Sequence, residues 1–372
     1  MNFLSNASLL LQTNISSITN SSKNATTTWE NSVDEYCLPE TFVTLVLITY
    51  LVFFVLSVLG NGTVCIAIGL RFLKPTVTNF FMGSLAACDV LISFIIPFTV
   101  LSNLVFMYWP FGAFLCPSIS LVQLMTTLLR ALTLVAMTCD RYYVLSRPFK
   151  GRLLAKQAKL VIVGIWIFSF IVCLPSGIFS EIIYLPHEPG SSGLCVEVWP
   201  QDTLRHIYGV VIMVMQYFVP LVLMLATYSH IAVIVWRNKT PGEANRKRDQ
   251  RRERSKKKML SMLIMVVLNY LFSWLPYHVI TLIGDVNPTI YDSKAVHMLW
   301  VVAHLLSFSN GGTNVIIYYW RNRNYRMAFK SLKEMLIKHF SKTHDKHVRV
   351  TRGRKPSAPL QNSHLTSTGS MT

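Results

Sequence analysis

Charge is scarce in this chain. Asp, Glu, Lys and Arg together make up 14% of its 372 residues, whereas soluble domains run nearer a quarter. Acidic residues are the scarcer sign, 17 against 35 Lys+Arg, which leaves a formal net charge of +18. Cysteine is limited to seven residues, none of them after Cys195. That excludes a disulfide-dense scaffold and palmitoylation of the C-terminal tail. No internal repeat is visible, which counts against the paired halves of many transporters. The leader lacks the basic-then-apolar pattern of a cleaved signal peptide. The polar residues at membrane depth make neither a nucleophile–base pair nor a metal-ligand set, so no enzymatic activity, metal or cofactor is expected.

Apolar residues dominate what is there: 52% of the chain is hydrophobic and its mean hydropathy is +0.42. A membrane-crossing helix needs about 20 mainly apolar residues. Seven stretches qualify, at roughly 41–70, 78–106, 114–143, 157–179, 207–236, 259–284 and 296–319. The expected fold is an all-α membrane protein, a seven-transmembrane helix bundle over 41–320. Before it lies an extracellular arm (1–40), and after it a short amphipathic helix (321–340) and a disordered cytoplasmic tail (341–372).

Orientation follows from the basic residues. Only Lys23, Arg205 and Lys294 fall in segments on the side of the N-terminus, while Arg71, Lys74, Arg147, Lys150, Arg152, Lys156 and Lys159 fall on the other. The run NKTPGEANRKRDQRRERSKKK, between the fifth and sixth stretches, adds to that second side. The positive-inside rule places the N-terminus outside the cell and the C-terminus in the cytoplasm. The basic balance therefore marks topology and lipid headgroups, with no nucleic-acid partner expected. Asn6, Asn14, Asn20 and Asn24 each open an Asn-x-Ser/Thr sequon in the outer arm and are candidate glycosylation sites. The first stretch is expected to serve as an uncleaved signal. Cys65, Cys88, Cys139 and Cys173 fall within spans and read as small packing residues. Cys116 and Cys195 both fall outside, where an oxidising compartment can join them. Cys37 is left as a free or intermolecular thiol.

Gly60-Asn61 and Leu85-Ala86-Ala87-Cys88-Asp89 mark the first two spans. Trp109-Pro110-Phe111-Gly112 precedes Cys116, Asp140-Arg141-Tyr142 closes the third span, and Trp166 marks the fourth. Pro220 and Tyr228 mark the fifth, Ser273-Trp274-Leu275-Pro276 the sixth, and Asn314-Val315-Ile316-Ile317-Tyr318 the seventh. In this order and at these separations the chain, from about residue 40 to 340, resembles the rhodopsin-like G-protein-coupled receptors. The resemblance implies a plasma-membrane receptor coupled to a heterotrimeric G protein and a Cys116–Cys195 disulfide drawing the second outer loop over the bundle. It also implies activation through Asp140, Arg141, Tyr142, Tyr228, Trp274, Pro276, Asn314 and Tyr318. From Cys116 to Arg141 is 25 residues, about 37 Å of helix, so the two cap opposite ends of one span. A plain snorkelling arginine is the competing reading of Arg141. Tail Ser/Thr residues from Ser357 to Thr372 are candidate phosphorylation sites for receptor kinases and arrestin.

The outer half suits a peptide. Gln123 stands where amine receptors of the family carry an acid, and Lys294 is the only lysine near the seventh span, so neither an amine nor retinal fits. Cys195-Val196-Glu197-Val198-Trp199-Pro200, with Arg205-His206-Ile207-Tyr208, resembles the second outer loop of the neuropeptide FF and other RFamide receptors. The run Ala303 to Asn310 is similar too. By that resemblance Asp285, with Glu197, would receive an arginine of an amidated peptide, a pairing that can be bidentate. Gln123 and His304 would meet its terminal amide and aromatic residue, with Tyr277, His278 and Trp300 lining the same cavity. A solvated acid and ordinary aromatic packing are the plain alternatives, and a neuropeptide Y-like or other peptide, or an orphan receptor with altered activation, is the alternative function.

Two residues depart from the family pattern. Arg130 lies eleven residues before Arg141, on nearly the same face of the third span. The family usually has a small polar residue there, which with the second-span acid and polar groups of the seventh span holds sodium. An intramembrane ion pair between Arg130 and Asp89 is expected, with the guanidinium in the place of the ion. The competing arrangement has Arg130 facing lipid or a water-filled gap. Val315 replaces a proline, so the inner end of the seventh span should kink less.

Overall fold

The computed structural model describes residues 38–146, 153–184, 193–237 and 246–352. The four candidate glycosylation sites, Cys37, the basic residues Arg147, Lys150 and Arg152, and the tail from Ser357 lie outside these ranges.

Helix α1 spans Glu40–Gly69, with Glu40 in its first turn where the backbone N–H groups favour an acid. Helix α2 (Val77–Leu101) starts at Thr76, whose hydroxyl accepts from the Asn79 backbone N–H at 3.3 Å, and widens into a π-helical turn at Ser102–Phe106. The Trp109 indole then donates to the Gly112 carbonyl at 2.9 Å, and Gly112 takes φ of 85°, a conformation that favours glycine. Helix α3 covers Leu115–Ser146. Helix α4 (Ala155–Ile178) leads into a hairpin of β1 (Ser180–Ile183) and β2 (Leu194–Glu197). The strands are antiparallel, with Cys195 opposite Ile182. Helix α5 runs Asp202–Met213, loosens into a π-helical turn at Val214–Phe218 and continues over Val219–Arg237. Helix α6 spans Arg246–Val286, α7 Lys294–Arg321 and α8 Arg323–Arg352.

Six of these, α1 to α6, are long and apolar enough to cross a membrane. Helix α7 falls short because its buried face carries His297, His304, Ser307, Ser309, Asn310 and Asn314. Leu45, Leu51, Leu59, Leu160, Ile171 and Val222 stay more than half exposed, the face that lipid covers in such a chain. The inner core joins Leu85, Leu134, Met137, Met224, Val266, Tyr270 and Tyr318. The outer core joins Val46, Tyr50, Ile92, Ile280, Trp300 and Val301.

Two boundaries and one element differ from those read in the sequence. Helix α6 starts at Arg246 rather than near 259, because its polar lead-in of Arg, Lys, Gln and Glu is made of good helix formers that a search for apolar runs passes over. Helix α8 continues past 340 to Arg352 through a similarly Lys- and Arg-bearing segment. The hairpin has no signal in the sequence, since each strand is only four residues long.

Candidate functional site

The Cys116–Cys195 disulfide ties β2 to the start of α3, with Cα atoms 5.6 Å apart. Hydrogen bonds from Trp109 N to Gly193 O (2.8 Å) and from Val198 N to Phe179 O (2.7 Å) fix the hairpin at both edges. Under this lid lies a cavity, open to the outer face, between α2, α3, α5, α6 and α7.

Glu197, at the end of β2, is its acid wall. Ser176 Oγ donates to one carboxylate oxygen at 2.6 Å and Trp199 Nε1 to the other at 3.0 Å. Trp199 is in turn packed between Phe179 and Tyr208, with ring centroids at 4.3 and 4.9 Å. The carboxylate is thus held in one orientation, and Arg205 lines the same cavity. Across the cavity Thr99 Oγ1 donates to Gln123 Oε1 at 3.1 Å, and Gln123 Nε2 lies 3.5 Å from His304 Nε2. His304 Nδ1 lies 2.6 Å from the Tyr50 hydroxyl, a bond between α7 and α1. Tyr277 and His278 also line the wall.

One expected lining residue sits elsewhere. Trp300 is behind the wall, stacked on His304 at 5.4 Å with ring planes 11° apart, because its position on α7 turns it toward α1 and α2. Asp285 is half-buried at the outer end of α6, off the cavity wall, where Arg205 and His206 are the cations that act on it. Sequence reading missed Gln216, Thr99, Ser176 and Tyr50. Gln216 had a signal, a lone amide in an apolar span; the others depend on what faces them.

The cavity floor is Trp274 and Arg130. Arg130 and Asp89 are 3% and 1% exposed and their nitrogen and oxygen approach to 2.5 Å. Around them Ser93 donates to the Asp89 carbonyl at 2.6 Å and Asn61 to the Gly311 carbonyl at 3.2 Å. Asn314 donates to Asn310 at 3.2 Å and accepts from Asn269 at 3.1 Å, joining α6 to α7. At the far end of α3, Arg141 pairs with Asp140 at 2.6 Å and also bonds Thr78. Thr138 bonds the Tyr228 hydroxyl at 3.3 Å, Tyr142 packs on His230 at 5.4 Å, and buried Tyr318 packs on Tyr325 at 5.6 Å. Pro276 lies inside α6, where it removes one helical hydrogen bond just above Trp274.

Membrane-length helices, a disulfide-tethered lid over a cavity at one end and a paired arginine at the other define a multi-pass membrane protein of the seven-helix receptor type. The chain belongs to the rhodopsin family: residues 60–318 match the family described as 7 transmembrane receptor (rhodopsin family). It is 35% identical over 300 residues to the RYamide receptor of Drosophila melanogaster, covering 78% of this chain and 63% of that protein. Identity to the RYamide receptor of Tribolium castaneum is also 35%, over 298 residues, 77% of this chain and 80% of the relative. The neuropeptide FF receptor 2 of Rattus norvegicus is 32% identical over 309 residues, covering 79% and 74%.

Proposed function

We propose that this chain is a plasma-membrane receptor for a short amidated peptide of the RFamide type, with its N-terminus outside the cell, and that it signals through a heterotrimeric G protein. The observation that carries the reading is Glu197, an acid fixed by two hydrogen bonds on the wall of a lidded cavity whose opposite wall holds Gln123 and His304. A guanidinium of the peptide would pair with Glu197, with Asp285 drawing the cation to the mouth. Gln123 and His304 offer a donor and an acceptor to the terminal amide. The relatives named for RYamide and neuropeptide FF support a peptide of this class. Arg141 at the opposite end, where the basic segments gather, is the residue to meet the G protein, and Trp274 and Pro276 couple the cavity floor to the inner part of α6. Helix α8 would lie on the inner leaflet with its lysines at the headgroups, and arrestin and receptor kinases would act on the tail.

The test is calcium or cAMP signalling in transfected cells challenged with amidated peptides, with surface expression measured in parallel. Glu197→Gln and Asp285→Asn should each lower potency for Arg-containing peptides, by about tenfold or more for Glu197, since charged hydrogen bonds contribute about 1.5–3 kcal/mol. Potency should be affected little when the peptide arginine is itself replaced. Undiminished potency in both variants would remove this pose.

A further inference from the structure

We propose that Arg321 is a positioning residue that latches the inner end of α6 to the end of α7 through Ser261, so that this contact restrains signalling in the absence of ligand. This rests on the receptor reading above and adds the contact that holds α6 at rest.

The inner part of α6 is a long arm. From Arg246 to the break at Pro276 is 30 residues, about 45 Å of helix. Polar ties to its neighbours gather near the break. The Tyr270 hydroxyl donates to the Gln216 carbonyl at 2.6 Å, the Tyr217 hydroxyl to the Leu271 carbonyl at 3.1 Å, and Asn269 Nδ2 to Thr313 Oγ1 at 2.7 Å. Further in, between Leu260 and Leu268, the side-chain hydrogen bonds that reach α6 from another helix among the described residues both come from the end of α7. Arg321 Nη2 donates to Ser261 Oγ at 3.1 Å, and Asn322 Nδ2 lies 3.9 Å from Met262 Sδ. The run that leads into this segment, Lys256-Lys257-Lys258, has the same sign as Arg321. Charge therefore pushes the arm away from α7, and the two hydrogen bonds act against that push.

The end of α7 is itself fixed. Arg326 Nη1 donates to the Tyr319 and Trp320 carbonyls at 3.1 and 2.7 Å, meeting acceptors that a helix end leaves spare. Asn322 Oδ1 accepts from the Asn324 backbone N–H at 3.0 Å, which sets the elbow into α8. Buried Tyr325 ties that elbow to α2, its hydroxyl 3.2 Å from Met82 Sδ. Arg321 sits in the last turn of α7, where a cation is favoured, with its guanidinium 6.0 Å from the Trp320 ring centroid. With the elbow tied to α2, separating Arg321 from Ser261 moves α6.

A hydrogen bond from a charged donor that exists in only one of two states biases the equilibrium between them by about tenfold or more. Arg321 Nε is buried and has no partner among the described residues. A carboxylate in place of the Ser261 hydroxyl would thus find two donors side by side, Nε and Nη2, and bind more tightly than the hydroxyl does. One position can therefore weaken or strengthen the latch.

The experiment uses the full-length receptor in cells, with surface expression measured, and reads G-protein signalling without added peptide. Ser261→Ala and Arg321→Gln should each raise this basal signal by about three- to tenfold per receptor at the surface. The double variant should do no more than either alone, since both remove one contact. Ser261→Asp should bring no rise. A rise shared by Ser261→Asp would mean a general loosening of the bundle and overturn the latch. A second measurement needs neither peptide nor G protein. Spin labels at Lys258→Cys and Arg323→Cys, both exposed positions, report the separation of α6 from the elbow in purified receptor carrying Cys37→Ser and Cys139→Ser. The separation should widen in Ser261→Ala and stay short in Ser261→Asp. Widening without any basal signal would support the latch and count against the G-protein reading. An unchanged separation in Ser261→Ala would overturn the latch whatever the signal.

Discussion

Removing Asp89 or Arg130 alone would leave a full charge in a site only 1–3% exposed. Breaking a buried pair in this way costs about 3–5 kcal/mol, whereas replacing both partners by neutral groups can be close to neutral. Asp89→Asn and Arg130→Gln should each lower the unfolding midpoint of the detergent-purified receptor markedly, and the double variant should recover most of the loss. Additive losses in a thermal-shift assay would mean the two charges do not act as a pair. Both residues stand out in the sequence, since ionisable residues within apolar spans demand partners. The environment of Glu197 does not: its orientation depends on Ser176 and Trp199, 21 residues before it and 2 after it. Trp300 illustrates the limit of placement by resemblance, because half a helical turn decides whether a residue meets a cavity or its outer shell.

Helix α7 meets α1 at close range. A Cβ on Gly60 would overlap the Val315 side chain, and one on Gly311 would crowd Ser57 and Asp89. Val315, standing where a proline was expected, thus fills a groove that glycine leaves open, and α7 runs unbroken from Lys294 to Arg321. Gly60→Ala should destabilise the receptor by about 1–3 kcal/mol through overpacking. Val315→Ala in the same chain should recover part of the loss, since it removes both γ carbons from the clash but leaves Val315 Cβ 2.9 Å from the added atom. A double-mutant cycle on surface expression and thermal midpoint measures the coupling; no coupling would place the two residues out of contact. The helices were legible as apolar runs, whereas the π-helical turns of α2 and α5 were not, because a one-residue widening does not change the apolar pattern that marks a span.

Across the whole molecule, the ion pair stands between the outer cavity, whose floor includes Arg130, and the polar contacts of Asn310 and Asn314 beneath it. A ligand pressing on that floor acts on a site already neutral, with a guanidinium where a cation would otherwise meet Asp89. Sodium should therefore have no effect on agonist affinity when compared with an organic cation salt at equal ionic strength. A fall in agonist affinity specific to sodium in a membrane binding assay would show that the ion still reaches Asp89.

The sequence by itself determined the membrane class, the apolar spans and the residues that had to find partners, because length, hydropathy and the cost of burying charge act locally and leave a mark on composition. It also held the family's ordered residues from Gly60 to Tyr318. Tertiary structure alone decided that Ser176 and Trp199 orient Glu197, that Trp300 backs His304, and that Gln216, Trp274 and His278 line one cavity. Those facts depend on the rotation of each helix about its axis, which packing against several neighbours sets at once and no single segment encodes.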